Sequence, residues 1–362
     1  MRSSDSIKKI LLLTLLSAGL FVLLSSKLHV IGDLLIIPGL DYYTFNKTVR
    51  YGDLYRMSRV SEFKEEIPYP PPELIFNTME ESDVISAGDS FFQIPINGLM
   101  FAAALEKLCG KKVYDATQID EEYCKRPAGV LELAGYTADS ALFKEKIFLL
   151  ECVERYSPER AKSKYLASSK EVAVKYLSLS VNILSFISAD EWLQSSFLLK
   201  APLEFKADTY FRLFNRLPAD ASIHTLKPPM LFYNEDKEFA ENKIDSVYIE
   251  DVANSIKKLS SLLKEKYNLV LLYVVIPDKY SLYGSYVNPE FQYNGYIPKL
   301  TESLKSKGVY TIDTYTLLKQ NSYNDLLFYR SDTHFNVRGR DLLLGECANQ
   351  INQIIKRNGN LK

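Results

Sequence analysis

Histidine is scarce in this chain: three occur in 362 residues, at His29, His224 and His334. Any chemistry that needs an imidazole near neutral pH must draw on one of those three. Cysteine is nearly as sparse. Cys109, Cys124, Cys152 and Cys347 include no Cys-x-x-Cys pair and no His/Cys cluster, which argues against a structural zinc site. An excess of one charge is also missing: 44 Lys and Arg face 45 Asp and Glu, for a net charge of -1. The basic face that a nucleic-acid partner would require is therefore not expected. Internal repeats and low-complexity tracts are absent, and no metal or cofactor is expected.

What remains is an ordinary globular composition, 47% hydrophobic and 25% charged, long enough for one large α/β domain or two smaller ones. Twenty-five Tyr and nineteen Phe supply an aromatic set. Most belong in a core, and an exposed cluster could line a sugar-binding groove.

The N-terminus carries an address. Lys8 and Lys9 precede an apolar run from Ile10 to Leu24, an order that keeps the N-terminus in the cytoplasm and sends the downstream chain across the membrane. With Ser25 and Ser26 the run just reaches spanning length, and Lys27 can snorkel at the far interface. We expect a signal anchor over residues 1–30, single-pass in the inner membrane with the remaining chain periplasmic; a cleaved signal is the alternative. In an exported chain four cysteines permit two disulfides. Cys109 and Cys124 close the shortest loop, and four free thiols are the other reading.

Along the chain, Pro68, Pro70, Pro71 and Pro72 mark a rigid extended stretch in an approach segment from about 32 to 80. Ser82–Ala87 reads as a strand running into Gly88-Asp89-Ser90, and Ile94–Leu108 as the following helix. Lys146–Val153 and Leu269–Ile276 are apolar runs suited to strands buried on both faces of a parallel sheet. Residues 157–247 lack an α/β rhythm and read as an inserted subdomain. Helices are expected at Tyr248–Tyr267 and Ile297–Lys307, a short strand at Val309–Ile312, and a C-terminal helix after the block Leu327–Asn336. Strands alternating with helices imply a parallel sheet sandwiched by helices.

The candidate chemistry gathers after strand ends, where open α/β sheets place their sites. Ser90 sits in a strand–turn–helix, with Gly88 permitting the turn and amides at the helix N-terminus able to face a developing oxyanion. A serine needs a base. His29 borders the membrane run and His224 lies in the irregular stretch. His334 follows Asp332 at a spacing of two, so one loop can supply base and orienting carboxylate. Arg155 is read as an electrostatic contributor or a structural ion pair. Lys279 either faces the site or caps the sheet edge, and Asp89 holds the turn.

Gly88-Asp89-Ser90-Phe91 together with Asp332-Thr333-His334-Phe335-Asn336 resembles the SGNH-like (GDSL-like) domains of the alginate O-acetyltransferase type, AlgJ and AlgX. Ile276-Pro277-Asp278-Lys279-Tyr280-Ser281-Leu282-Tyr283 is similar to the family's strand-end Pro-x-Lys segment, and Glu151-Cys152-Val153-Glu154-Arg155-Tyr156 to its Glu-Arg-Tyr strand end. The resemblance covers residues 82–156 and 265–350. It implies a flavodoxin-type sheet within an SGNH-like domain at 31–362. It also implies a polysaccharide acceptor and an acetyl donor supplied by a membrane-bound O-acyltransferase. The chain departs from the family in order, because Ser90 precedes the Asp-x-His block as in ordinary SGNH hydrolases. Phe335 stands where Trp is frequent, and no Gly-x-Asn-Asp segment assigns a second oxyanion donor.

Three functions fit this reading: a polysaccharide O-acetyltransferase working through acyl-Ser90, a carbohydrate esterase or deacetylase using the same triad, and a surface protein with an unused site. The order of charges around the apolar run makes a topological prediction. Protease added to intact spheroplasts should digest or release the domain after residue 30. Full protection would place it in the cytoplasm and remove a polysaccharide acceptor from consideration.

Overall fold

Two strands of eight residues determine the architecture. The computed structural model describes residues 49–73, 75–116, 146–161, 197–217, 219–323 and 325–359. Its strands in chain order are β1 (Val49–Tyr51), β2 (Glu66–Pro68), β3 (Val84–Ala87), β4 (Val113–Asp115), β5 (Lys146–Val153), β6 (Ile223–Leu226), β7 (Pro229–Phe232), β8 (Leu269–Ile276) and β9 (Tyr310–Thr311). β5 and β8 pair in parallel along their whole length, from Lys146 opposite Leu269 to Val153 opposite Ile276. Such strands must be apolar on both faces, and β5 is buried throughout. Its one lysine is accommodated because Lys146 Nζ donates to the carbonyls of Met79 and Glu80, at 2.6 and 2.5 Å.

The full sheet has the parallel order β4-β3-β5-β8-β9. Numbered within the sheet, that is the 2-1-3-4-5 order of flavodoxin-type folds, in agreement with the expectation from sequence. Alternate residues face opposite helical layers. Val84, Ile147, Leu149, Leu272 and Val274 pack with Leu105, Leu343 and Ile351, from the helices Phe101–Cys109 and Val337–Gly359. Ile85, Phe148, Leu150, Leu271 and Tyr273 pack against the helices Ser246–Tyr267 and Tyr296–Ser306. Ser246–Tyr267 is helical because Ile249, Val252, Ala253, Ile256, Leu259 and Leu263 fall on one stripe. Asp245 caps its start by accepting from Tyr248 N at 2.7 Å, and Asn268 ends it in the left-handed region.

Several expectations change. The helix expected over Ile94–Leu108 begins only at Phe101, as Phe101–Cys109, and a short helix, Ser90–Gln93, ends just before Ile94. Pro95 lacks the amide that would continue the first, and Asn97 and Gly98 take φ of 52° and 73° in a turn closed between Ile96 and Leu99. Cys109, Cys152 and Cys347 are free thiols, so Cys109 does not close the expected loop; Cys124 lies outside the described residues. The signal anchor expected over residues 1–30 also lies outside them. Among the described residues no helix is long and apolar enough to cross a membrane. Within 157–247, residues 162–196 lie outside the described residues. The rest carries the helices Ser157–Arg160, Phe197–Phe214 and Asn234–Glu241 and the antiparallel hairpin β6–β7.

A third, smaller core joins this region to the N-terminal side of the described chain. Leu54, Val60 and Phe63 pack with Phe211, Ala221 and Leu231. It matters functionally because two of its segments reach the histidine loop: Tyr55 N donates to Ser331 O and Leu231 N to Arg330 O, both at 3.0 Å.

Phe148, with no exposed surface at the centre of β5, should cost about 3–5 kcal/mol when replaced by alanine. Leu213, 69% exposed, should change stability by no more than about 0.5 kcal/mol under the same substitution. Chemical denaturation of Phe148→Ala and Leu213→Ala checks the difference.

Candidate active site

β3 and β5 are the neighbouring strands at which the sheet order reverses, and the crevice beyond their carboxyl ends is where this topology places ligands. Ser90 follows β3 directly and opens the helix Ser90–Gln93. Three charged residues hold that turn. Asp89 caps the helix, its Oδ1 accepting from Phe91 N at 3.2 Å. Its Oδ2 accepts from Val153 N and from Arg160 Nη1, each at 2.9 Å. Glu151 Oε2 accepts from Asp89 N at 2.8 Å. Burial works against the Asp89 charge, but Arg160, Glu151 and the two amides outweigh it and hold the carboxyl below its ordinary value. Burial and the adjacent Asp89 push Glu151 far upward.

Gly88 is required for closeness. A Cβ there would stand 2.5 Å from Glu151 Oε2 and 2.9 Å from Glu151 Cβ. Amides in the first turn are mostly committed: Phe91 N to the Asp89 carboxylate, Phe92 N and Gln93 N to the Asp89 carbonyl. The Ser90 N–H remains for an incoming oxygen.

The histidine comes from the loop before the last helix. Residues 327–336 fold back on themselves, with Asn336 N donating to Leu327 O at 3.0 Å and Tyr329 N to His334 O at 3.2 Å. Asn336 Oδ1 then accepts from Gly339 N at 3.1 Å at the start of Val337–Gly359. His334 Nε2 lies 2.8 Å from Ser90 Oγ, and His334 Nδ1 lies 2.6 Å from Asp332 Oδ1. The carboxylate bond places a proton on Nδ1 and leaves Nε2 as the acceptor facing the serine. Phe91 packs on the imidazole with ring centroids 4.9 Å apart. Burial opposes both charges, but each stabilises the other: His334 is raised above the ordinary imidazole value, and Asp332 is held well below the carboxylate range by His334 and then Arg50.

The other residues singled out in the sequence stand nearby in different roles. Lys279 does not contact Ser90. Its buried ammonium donates to Arg330 O at 2.8 Å and Asp332 O at 3.1 Å and so holds the histidine loop; burial lowers it to about 8. Arg155 does not contact Ser90 either. It pairs with Asp278, and with Asp236 at 3.0 Å, which is the structural ion pair of the two readings. Asp89 holds the turn through its cap and its bond to Val153 N. None of the three supplies an oxyanion donor.

Sequence reasoning missed Arg50 and Asp53. Arg50 Nη1 donates to Asp332 Oδ2, and Asp53 Oδ1 accepts from Thr333 N at 2.8 Å. No motif marks them. Glu151 and Arg160 were also missed, although an acid inside the apolar run Lys146–Val153 was a visible signal.

Residues 227–359 match the family model described as SGNH hydrolase-like domain, acetyltransferase AlgX. The match covers a little over a third of the chain and supports an SGNH-like domain of the AlgX type. It contains Asp278, Lys279, Asp332 and His334, whereas Ser90, Arg155, Arg50 and Asp53 lie before it. The SGNH-like match begins inside the stretch read as an insertion, at the hairpin β6–β7. No curated protein and no solved structure matches the chain.

Removing the turn's anchor should be costly. Asp89→Ala is expected to lower stability by about 3 kcal/mol, since it strands buried donors and the Arg160 charge. The Asp89 contribution is fully present above 3.8 and fades as pH falls through the lower folded value. Denaturation of Asp89→Asn between about pH 2 and 7 should therefore show weaker acid sensitivity than the wild type.

Proposed function

We propose that this chain transfers an acetyl group to a hydroxyl of an extracytoplasmic polysaccharide through an ester on Ser90. The observation that carries the reading is the continuous array of Ser90, His334 and Asp332 at the switch point of the sheet. The AlgX-type match supports an enzyme of the esterase or acyltransferase class.

His334 Nε2 takes the Ser90 proton as Oγ attacks the donor's carbonyl carbon. The carbonyl oxygen becomes an oxyanion within reach of the Ser90 amide and the positive end of the helix it opens. Asp332 stabilises the imidazolium that results. The imidazolium then protonates the leaving group, and acyl-Ser90 remains. A sugar hydroxyl attacks next, giving its proton to His334. Collapse of that second intermediate forms the new ester and returns the proton to Ser90.

Water in place of the sugar would make the same site an esterase, so the two readings share residues and differ in acceptor. The lysines before the apolar run support an anchored domain on the far side of the membrane, where a membrane-bound acyltransferase could deliver the acetyl group.

With a chromogenic acetyl ester, Ser90→Ala and His334→Ala should each lower kcat/KM at least about a thousandfold. The double variant should be no worse, because the groups act as one unit. Asp332→Ala should lose about 10²–10⁴-fold and keep measurable activity. Because His334 is raised, the acid limb of kcat/KM should lie above about 6.5. Full activity in Ser90→Ala would exclude the mechanism. Acetate release with no acetylated glycan, in the presence of a polysaccharide acceptor, would identify the esterase.

A further inference from the structure

The Asp332–His334 pair is enclosed by a segment that the family match does not include. β1 carries Arg50, and the helix Asp53–Ser58 begins with Asp53, separated by Tyr51 and Gly52. Arg50 is 8% exposed, and its Nη1 donates to Asp332 Oδ2. The other carboxylate oxygen is taken by His334, through Nδ1 at 2.6 Å and the backbone amide at 2.9 Å. One oxygen of Asp332 thus serves the base and the other serves Arg50. Asp53 approaches from the imidazole side. Its Oδ2 lies 3.7 Å from His334 Nδ1 and accepts from Thr333 Oγ1, while Oδ1 accepts from Thr333 N at 2.8 Å.

The backbone between them is pressed onto the loop. A Cβ on Gly52 would stand 2.1 Å from Ser331 O, so only glycine allows the segment to lie this close. Tyr55 N donates to the same carbonyl at 3.0 Å. The rings of Tyr69 and Tyr329 flank the Arg50 guanidinium at 5.9 and 6.0 Å. The Arg50 contact is buried and made to Asp332 itself, whereas the half-buried Asp53 is bonded to Thr333 and stands beside the imidazole.

We propose that Arg50 and Asp53 are positioning residues of the acyl-transfer site, with opposite charges, Arg50 holding the Asp332 carboxylate and Asp53 standing beside the His334 imidazole. Arg50 fixes the carboxylate and draws its negative charge away from the imidazole. Asp53 fixes Thr333 and places a second carboxylate beside the ring, its own charge opposed by burial and by Asp332 and favoured by His334. Their effects on the base therefore have opposite sign: Arg50 disfavours the imidazolium and Asp53 favours it. Charged groups around the loop besides these two are Lys279, on the Asp332 carbonyl, and Glu65, which accepts from Ser331 N at 3.0 Å and pairs with Arg330 of the loop at 3.7 Å. The charges acting on the imidazole are those of Asp332, Asp53 and Arg50. The kinetic half of this proposal rests on the acyl-transfer reading; the electrostatic half does not.

The test follows the imidazole itself. With only three histidines in the chain, carbon-13 labelled His334 can be identified in the NMR spectrum of the full-length protein by its loss in His334→Gln. Relative to wild type, the His334 titration should move up by about 0.5–1 pH unit in Arg50→Gln and down by a similar amount in Asp53→Asn. Arg50→Lys, which keeps the charge without the planar fork, should return it toward wild type. The acid limb of kcat/KM on the acetyl ester should move in the same directions. Titrations that stay put, or that shift the same way in both variants, would overturn the proposal. If Arg50→Gln does not fold, Asp53→Asn alone decides, since it must lower the titration. If Ser90→Ala keeps full activity, the acyl-transfer reading fails while the titration result still stands or falls by itself.

Discussion

A carboxylate removed from water must be surrounded by donors or give up its charge, and Asp332 has no exposed surface at all. Much of the site can be derived from how that one group is satisfied. Two donors come from His334, two residues further along. A third comes from Arg50, at the other end of the described chain. The carbonyl of Asp332 is held by Lys279 at the end of β8, and the amide of Ser331 by Glu65. An imidazole bonded to a carboxylate fixed on so many sides has little freedom left. Its second nitrogen points where the loop directs it, which is at Ser90. Lys279 bears part of the cost, since a buried ammonium is disfavoured.

The nucleophile's turn is built by the same logic on a different frame. Asp89 stitches the turn to the end of β5 and to Arg160, and Glu151 accepts from its backbone amide. At the next strand interface Glu154 accepts from Asp278 N at 3.0 Å and from Ser281 Oγ at 2.7 Å, while Arg155 is committed to Asp278 and Asp236. The carboxyl edge of the sheet therefore carries a row of paired buried charges. At Ser90 that row places a hydroxyl against His334 Nε2. A site supported in this way is already organised before any substrate arrives, which is the condition under which fixed dipoles lower a barrier.

The legible part of the sequence was the part governed by local rules. Lys146–Val153 and Leu269–Ile276 appear at their expected bounds because an apolar run buried on both faces leaves few alternatives. The parallel sheet between helical layers followed from the alternation of strands and helices, and its flavodoxin-type order from the family resemblance. Ser90, Asp332 and His334 were found because one hydroxyl and one available imidazole each followed a strand or a loop of the right kind. Illegible were the contacts between distant stretches. Nothing near Arg50 or Asp53 signals that each will meet a loop some 280 residues away. Arg155 and Lys279 lay at the right edge, but strand-end position does not reveal whether a cation faces the crevice or its neighbours. The helix expected from Ile94 failed at Pro95, a local signal that the apolar pattern outweighed.

The separation between Arg50 and Asp332 has a consequence for how the protein matures. Contacts between residues far apart in sequence cost the most chain entropy to close and tend to form late. Arg50 and Ser90 leave the ribosome long before Asp332 and His334 exist, and domains generally fold as units during or after synthesis. A nascent chain that already contains its serine therefore has no base to activate it. On the proposed acyl-transfer mechanism, reactivity arises only when the last loop closes onto β1, so an incomplete product carries an unactivated hydroxyl.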